Sequence, residues 1–183
     1  MSRKIVHVVG TGTIGEPLIG LLCDFKEQLG IDQVTFHKNT PLTTDRSKVI
    51  SLTKRGARLS THQDKFKGFN DIGLKPEFST EEAIERSSVV IDCTPSGFGH
   101  ENKAKYYTKF SDNTLGFVAQ GSEFGFGKPY ARGINDSTLV KGEDKFIQVV
   151  SCNTHNLSTL VDTIALSDGS DNLLEGRFLL IRR

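Results

Sequence analysis

The sequence predicts an α/β protein built on a doubly wound, mostly parallel sheet. Two observations predict it. Short runs rich in β-branched residues alternate with segments whose apolar residues recur at three- and four-residue steps. Several of the β-type runs are apolar throughout, as strands covered on both faces must be, rather than alternating apolar with polar.

The elements follow in order. Residues 4–9 ("KIVHVV") read as a strand ended by glycine. Ile14, Leu18, Leu21, Leu22, Phe25 and Leu29 form a helical stripe, with Pro17 in the first turn and Gly30 as the stop. Residues 33–37 ("QVTFH") read as a second strand, and Asp45 as the cap of a helix carrying Val49, Ile50 and Leu52 and stopped by Gly56. Residues 59–78 carry weaker signals, with short strand candidates around Leu59 and Leu74. Ser79 and Glu82 match a capping box for a short helix over Ala83 and Ile84. A strand over 89–93 ("VVIDC") leads through "TPSGFG" to a helix over 102–110 and a strand over 115–119. Then come a strand over 146–150, a helix over 154–166 and a final strand over 178–181 ("FLLI").

Composition narrows the function. The 183 residues include 23 lysines plus arginines against 22 acids, so no overall field points to nucleic acid or an anionic membrane. No run is long and apolar enough for a membrane helix, and the first residues do not read as a signal peptide. Three scattered cysteines without a CxxC pair argue for a reducing compartment, the cytoplasm, and against a disulfide framework or a zinc site; no metal ligands are read. The final strand has no later segment to pair with or cover it. That is the profile of an aggregation-prone edge, and it leads us to expect a longer chain.

Gly10, Gly12 and Gly15 form a GxGxxG that follows a predicted strand and opens a predicted helix, the context a dinucleotide loop requires. The first glycine permits the turn, the second lets backbone approach a pyrophosphate, and the third lets helix pack on sheet. The helix N-terminus adds free N–H groups and partial positive charge. At the end of the second strand, "FHKNTP" has no acid to hold a ribose 2′-hydroxyl. Lys38 can neutralise a 2′-phosphate there, with Asn39 or Thr40 donating hydrogen bonds, so NADP is expected to be accepted at least as well as NAD.

Cys152 stands in "VVSCNTHNL" between a strand end and a helix start, where ligands gather in open α/β sheets and where the helix dipole favours a thiolate. Cys23 and Cys93, inside apolar segments, read as core residues. A reactive thiol beside a dinucleotide loop suits aldehyde oxidation. The thiol adds to the carbonyl as a thiohemiacetal, hydride leaves to a nicotinamide, and phosphate or water cleaves the resulting thioester.

"VVGTGTIGEPL", "IDCTPSGFGHENKAKYY", "VAQGSE" and "VVSCNTHNLSTL" together resemble archaeal-type (class II) glyceraldehyde-3-phosphate dehydrogenase, from the first strand to the final "IRR". The resemblance implies a Rossmann-type domain over 1–151 and the first helix and strand of a catalytic domain over 152–183, cut short. It implies a cytoplasmic homotetramer working in glycolysis or gluconeogenesis on an aldehyde phosphate and inorganic phosphate. It makes Cys152 the nucleophile and puts Ser151, Asn153 and Thr154 around the substrate. Thr13 and Ile14 would sit over the pyrophosphate, Thr94, Pro95 and Gly97 along the cofactor, and Gly121 near its nicotinamide end. Arg182 and Arg183 match an arginine pair serving substrate phosphate and cofactor. The family's catalytic base is a histidine well past Arg183, so the 183 residues alone are expected to bind cofactor better than they catalyse. His155 stands where the family usually has a small or polar residue and reads as a first-turn helix residue. The alternatives are a related aldehyde dehydrogenase of the aspartate-semialdehyde or erythrose-4-phosphate type, and a non-catalytic NADP-binding module.

Overall fold

The computed structural model describes residues 4–121, 123–167, 169 and 173–181. Eight parallel strands form one sheet in the order β4-β3-β2-β1-β5-β6-β8-β7. They are β1 (Ile5–Val9), β2 (Gln33–His37), β3 (Arg58–Thr61), β4 (Phe78–Ser79), β5 (Val89–Asp92), β6 (Gly116–Ala119), β7 (Lys128–Tyr130) and β8 (Phe146–Val149). The helices are α1 (Gly15–Asp24), α2 (Arg46–Lys54), α3 (Phe66–Asp71), α4 (Thr80–Glu85), α5 (Phe98–Lys105) and α6 (Cys152–Leu160).

The chain winds outward from β1 through β2, β3 and β4, then returns to lay β5 on the other side of β1. Right-handed crossovers then put helices on opposite faces in the two halves. Alternation along β1 shows the consequence. Val8 belongs to one core with Ile19, Phe36, Val49, Leu59 and Phe69, while Val9 belongs to a second with Ile84, Val90, Tyr107, Phe117 and Phe126. Both faces are covered, so all five residues of β1 are buried.

Register decides where the strand ends fall. Val9 lies opposite His37 of β2 and Asp92 of β5. Gly10, Lys38 and Cys93 therefore leave the sheet side by side, at the point where the winding reverses direction and open α/β sheets bind ligands.

Several expectations need correction. The sheet is wholly parallel. The segment around Leu74 is no strand; Leu74 is buried against the first core, and the fourth strand is the short β4. β7 was not foreseen, since three residues containing Pro129 carry almost no strand signal; Pro129 is tolerated because β7 is an edge strand. Asp45 takes the N-cap position of α2, but its side chain makes no capping bond and turns to Lys38 instead. α1 ends at Asp24, and turns carry the chain on to Gly30 at φ +62°. Only part of its stripe reaches the core, since Ile14, Leu21, Phe25 and Leu29 are exposed. α5 begins at Phe98, four residues before the expected start, and α6 begins at Cys152 rather than Thr154. The helix expected to reach 166 passes into a π-helical turn over Val161–Ala165. Residues 178–181 form no strand, because a strand is defined by pairing and none of the described strands lies beside them. The capping box at Ser79 is present in full, with Glu82 N–H donating to Ser79 and Ser79 N–H donating to Glu82.

The second core is an aromatic stack. Phe117 is fully buried between Tyr107 and Phe146, with ring centroids 5.0 Å and 5.1 Å away. Phe117→Ala is expected to lower unfolding free energy by about 3–5 kcal/mol, read from urea midpoints, since rigid β strands on either side cannot close the gap.

Candidate active site

Three glycines shape the loop after β1, each for a different reason. Gly10 adopts φ +99°, and a Cβ there would lie 3.0 Å from the Cys93 carbonyl oxygen. At Gly15 a Cβ would stand 2.1 Å from the Gly10 carbonyl oxygen, so only hydrogen lets α1 start against its own loop. Gly12 is the opposite case, with nothing within 4 Å of the added atom. Packing therefore requires Gly10 and Gly15 and leaves Gly12 facing open space. The N-cap of α1, Ile14, supplies no side-chain bond to the first turn. Glu16 N–H already donates to the Gly12 carbonyl at 3.1 Å and Pro17 has no N–H, so what the start of α1 offers an anion is chiefly the positive end of its dipole.

The loop forms one wall of a cleft of about 620 Å³. Of the expected cofactor residues, Gly10, Gly12, Thr13, Ile14, Lys38, Thr40, Thr94 and Pro95 line it. Gly15 lies behind the loop, and Gly97 and Gly121 are not in the lining. Thr11, His37, Asn39, Cys93, Phe98 and Gln120 complete the wall. The reading from sequence singled out none of these except Asn39, although Thr11, His37 and Phe98 all fall inside the stretches that carry the signal. Cys93 is both core and wall, and burial pushes its thiol up to about 12. It is therefore a neutral surface rather than a nucleophile.

The end of β2 carries the charge. Lys38 Nζ lies 2.7 Å from Asp45 Oδ2, and both side chains are half-buried. Lys48 Nζ reaches Glu16 at 3.1 Å and donates to the Thr11 carbonyl at 3.3 Å, stapling α2 to the glycine loop. Lys65 donates to Asn39 Oδ1 at 2.5 Å. The hydrogen bond from Lys38 holds the Asp45 carboxyl below its ordinary range.

The opposite wall depends on two buried acids that sequence reading did not single out as site residues. Asp92, at the end of β5, accepts from Thr94 N–H at 2.9 Å, from the Thr94 hydroxyl, from Asn102 Nδ2 at 2.9 Å and from the Tyr107 hydroxyl at 2.5 Å. Burial first, and then the nearby Asp92 charge, pushes the Tyr107 phenol well above its usual range, so it stays a donor. Glu123 is wholly buried and accepts from Gly97 N–H at 2.6 Å and His100 N–H at 3.2 Å, closing the N-terminus of α5. The cleft wall over 94–98 is thereby held from below by Asp92 and from the side by Glu123. An acid inside the apolar run "VVIDC" was the available signal for Asp92.

The cleft reaches Gln120, whose side chain donates to the Thr94 carbonyl at 3.2 Å. Gly121 follows, and a Cβ on it would lie 2.5 Å from Ser151 Cα. That contact packs the 151 loop against the far end of the cleft. Ser151 is the N-cap of α6, accepting from Thr154 N–H at 3.2 Å, which makes Cys152 the first residue of the helix, with its side chain exposed. Ser151, Cys152, Asn153 and Thr154 thus sit together beside the cleft without lining it. His155 Nε2 lies 2.9 Å from the Arg132 carbonyl, so Nε2–H is the donor and that nitrogen is committed. Arg182 and Arg183 lie outside the described residues.

A smaller cavity of about 240 Å³ adjoins the cleft and shares His37, Asn39, Thr94 and Phe98 with it. One Thr80 hydroxyl bridges His37 Nδ1 at 3.4 Å and His62 Nδ1 at 3.0 Å. Deeper in the sheet, His7 Nδ1 pairs with the Thr35 hydroxyl at 2.7 Å. Burial lowers the His7 and His37 imidazoles to about 3, so both are neutral in the folded protein at ordinary pH.

No family model matches the chain. Curated relatives do. Glyceraldehyde-3-phosphate dehydrogenase of Pyrobaculum islandicum is 28% identical over 97% of the chain and 48% of its own length. The Archaeoglobus fulgidus protein of the same name is 30% identical over 88% of the chain and 44% of its length, and the Sulfolobus acidocaldarius protein is 26% identical over the whole chain and 49% of its length. The chain spans about half the length of the curated relatives it matches, in keeping with the N-terminal portion that its motifs resemble.

The buried histidines imply a pH dependence. Unfolding returns each from about 3 to about 6.5, so between these values the unfolded chain binds more protons and stability falls as pH falls. Near pH 5 the two sites take up close to two protons on unfolding, a slope of roughly 2.7 kcal/mol per pH unit. Urea unfolding from pH 7.5 to 4.5 measures it; stability independent of pH across that range would contradict the assignment.

Proposed function

We propose that the chain is the cofactor-binding portion, with the start of the catalytic domain, of an NAD(P)-dependent phosphorylating glyceraldehyde-3-phosphate dehydrogenase. Similarity to archaeal enzymes of that name along almost the whole chain supports the reading. The observation that carries it is the cleft. Gly12 lines it with nothing within 4 Å of an added Cβ, the N-terminus of α1 opens beside it, and Lys38, Asn39 and Thr40 stand at the end of β2. These features fit a nicotinamide dinucleotide. Gly10, Gly12, Thr13 and Ile14 would hold its pyrophosphate, Lys38 and Thr40 the adenosine ribose or its 2′-phosphate, and Thr94 and Pro95 the opposite wall. Gly97 and Gly121 would act from behind that wall, and Arg183 would complete the cofactor contacts.

When bound, the nicotinamide supplies the two-electron acceptor of the oxidation. The chain's own residues have narrower tasks. Cys152 is the nucleophile, its Sγ bonding to the aldehyde carbon while the carbonyl electron pair moves to oxygen. Its place as first residue of α6 puts the exposed thiol at the positive end of the helix dipole. Ser151, Asn153 and Thr154 offer hydrogen-bonding groups to substrate, with Arg182 assigned to its phosphate. His155 spends Nε2–H on Arg132 and is not assigned as the base. Inorganic phosphate releases the acyl group from sulfur. A cytoplasmic setting and a homo-oligomer of the complete enzyme belong to the same reading, as does weak or no turnover by these 183 residues alone.

The glycines give a test that separates binding from folding. Gly12→Ala meets nothing in the protein and is expected to change unfolding free energy by less than about 0.5 kcal/mol. It should weaken NADP and NAD binding at least ten-fold by calorimetric titration, because the methyl occupies the phosphate cradle. Gly15→Ala should fail to fold stably. Full-strength dinucleotide binding by a folded Gly12→Ala chain would sink the proposal. For the thiol, iodoacetamide should label Cys152 ahead of Cys23 and Cys93, since Cys152 is exposed, Cys23 half-buried and Cys93 buried. Labelling of Cys152 no faster than of Cys23 would favour a non-catalytic module.

A further inference from the structure

Lys38 is not a free cation. Its ammonium is 2.7 Å from Asp45, a side chain that leaves the N-cap position of α2 without a capping bond in order to reach it. The three lysines around the adenosine end of the cleft are all engaged: Lys38 by Asp45, Lys48 by Glu16 and the Thr11 carbonyl, and Lys65 by Asn39. Asp45 touches a second of them, lying 4.0 Å from Lys48. One carboxylate thus engages Lys38, the lysine that lines the cleft, and touches Lys48 beside it.

We propose that Asp45 is a specificity-determining residue that sets how strongly the cleft distinguishes a 2′-phosphorylated dinucleotide from its unphosphorylated counterpart. The inference rests on the cleft binding a nicotinamide dinucleotide, as proposed above. The mechanism is competition. A 2′-phosphate must share the Lys38 ammonium with Asp45 and also feels the repulsion of its charge, whereas a ribose 2′-hydroxyl feels neither. Asp45 therefore restrains preference for the phosphorylated cofactor and leaves the unphosphorylated one nearly untouched. It also holds the Lys38 side chain, which has three donors, at the cleft instead of letting it extend into solvent.

Asp45→Asn keeps the volume of the side chain and costs no helix cap, and Lys48 retains Glu16 and Thr11. Removing one charge about 4 Å from a phosphate in water-like surroundings is worth roughly five-fold in affinity. Binding of NADP, NAD, 2′-AMP and 5′-AMP to the 183-residue chain and its variants is measured by calorimetric titration. Asp45→Asn should tighten NADP and 2′-AMP about five-fold and change NAD and 5′-AMP less than two-fold. In a Lys38→Gln background the same substitution should give a clearly smaller gain. Unchanged or weaker NADP binding by Asp45→Asn overturns the inference while leaving the dinucleotide site standing, and so does an equal gain with Lys38 absent. A wild-type chain that binds neither NADP nor NAD overturns both.

Discussion

The site depends on one steric constraint, the approach of backbone to backbone where β1 hands over to α1. Gly15 begins the helix against the carbonyl of Gly10, and Gly10 turns against the carbonyl of Cys93 at the end of β5. A side chain at either position would push the helix off the sheet or split β1 from β5. With hydrogen at both, α1 points its N-terminus into the gap where the winding reverses, and the cleft follows from that gap. Gly12 is spared by the packing, and so its bareness has meaning only for what enters the cleft.

Two buried acids turn that gap into a shaped wall. Asp92 lies among apolar residues of β5, an expensive place for a carboxylate unless its lone pairs are used. They are used: backbone, hydroxyl, amide and phenol all donate to it, from Thr94 in the loop, Asn102 of α5 and Tyr107 just after that helix. Glu123 serves in the same way at the first turn of α5. The loop over 94–98 is short, and the two anchors hold it at Thr94 and Gly97, where Gly97 itself turns at φ +92°. The contact between Gly121 and Ser151 then carries the geometry of the cleft across to the loop that bears Cys152.

Much of the architecture could be read from local pattern. Strands β1, β2, β5, β6 and β8, the glycine loop, the Ser79 box and the strand–Cys152–helix junction all announce themselves within a few residues. Pairings made at long range do not. β7 and β4 are too short to carry a period, and they are strands because β8 and β3 offer them edges. The stretch over 178–181 has the composition of a strand, yet composition cannot supply a neighbour. Asp45 looked like a helix cap because Asp next to a helix start usually is one. Lys38, just past the end of β2, offered it a stronger partner.

The sequence by itself determined the alternation of strand and helix, the glycine loop and the polar setting of Cys152, because each is written in spacing over neighbouring residues. Tertiary structure alone decided which strand ends share a row, that Asp92 and Glu123 brace the cleft, that His7 and His37 are buried neutral, and that Lys38 is already paired. Most of those properties arise between residues far apart in sequence, and even the Lys38–Asp45 pair, seven positions apart, depends on burial and distance that no local pattern records.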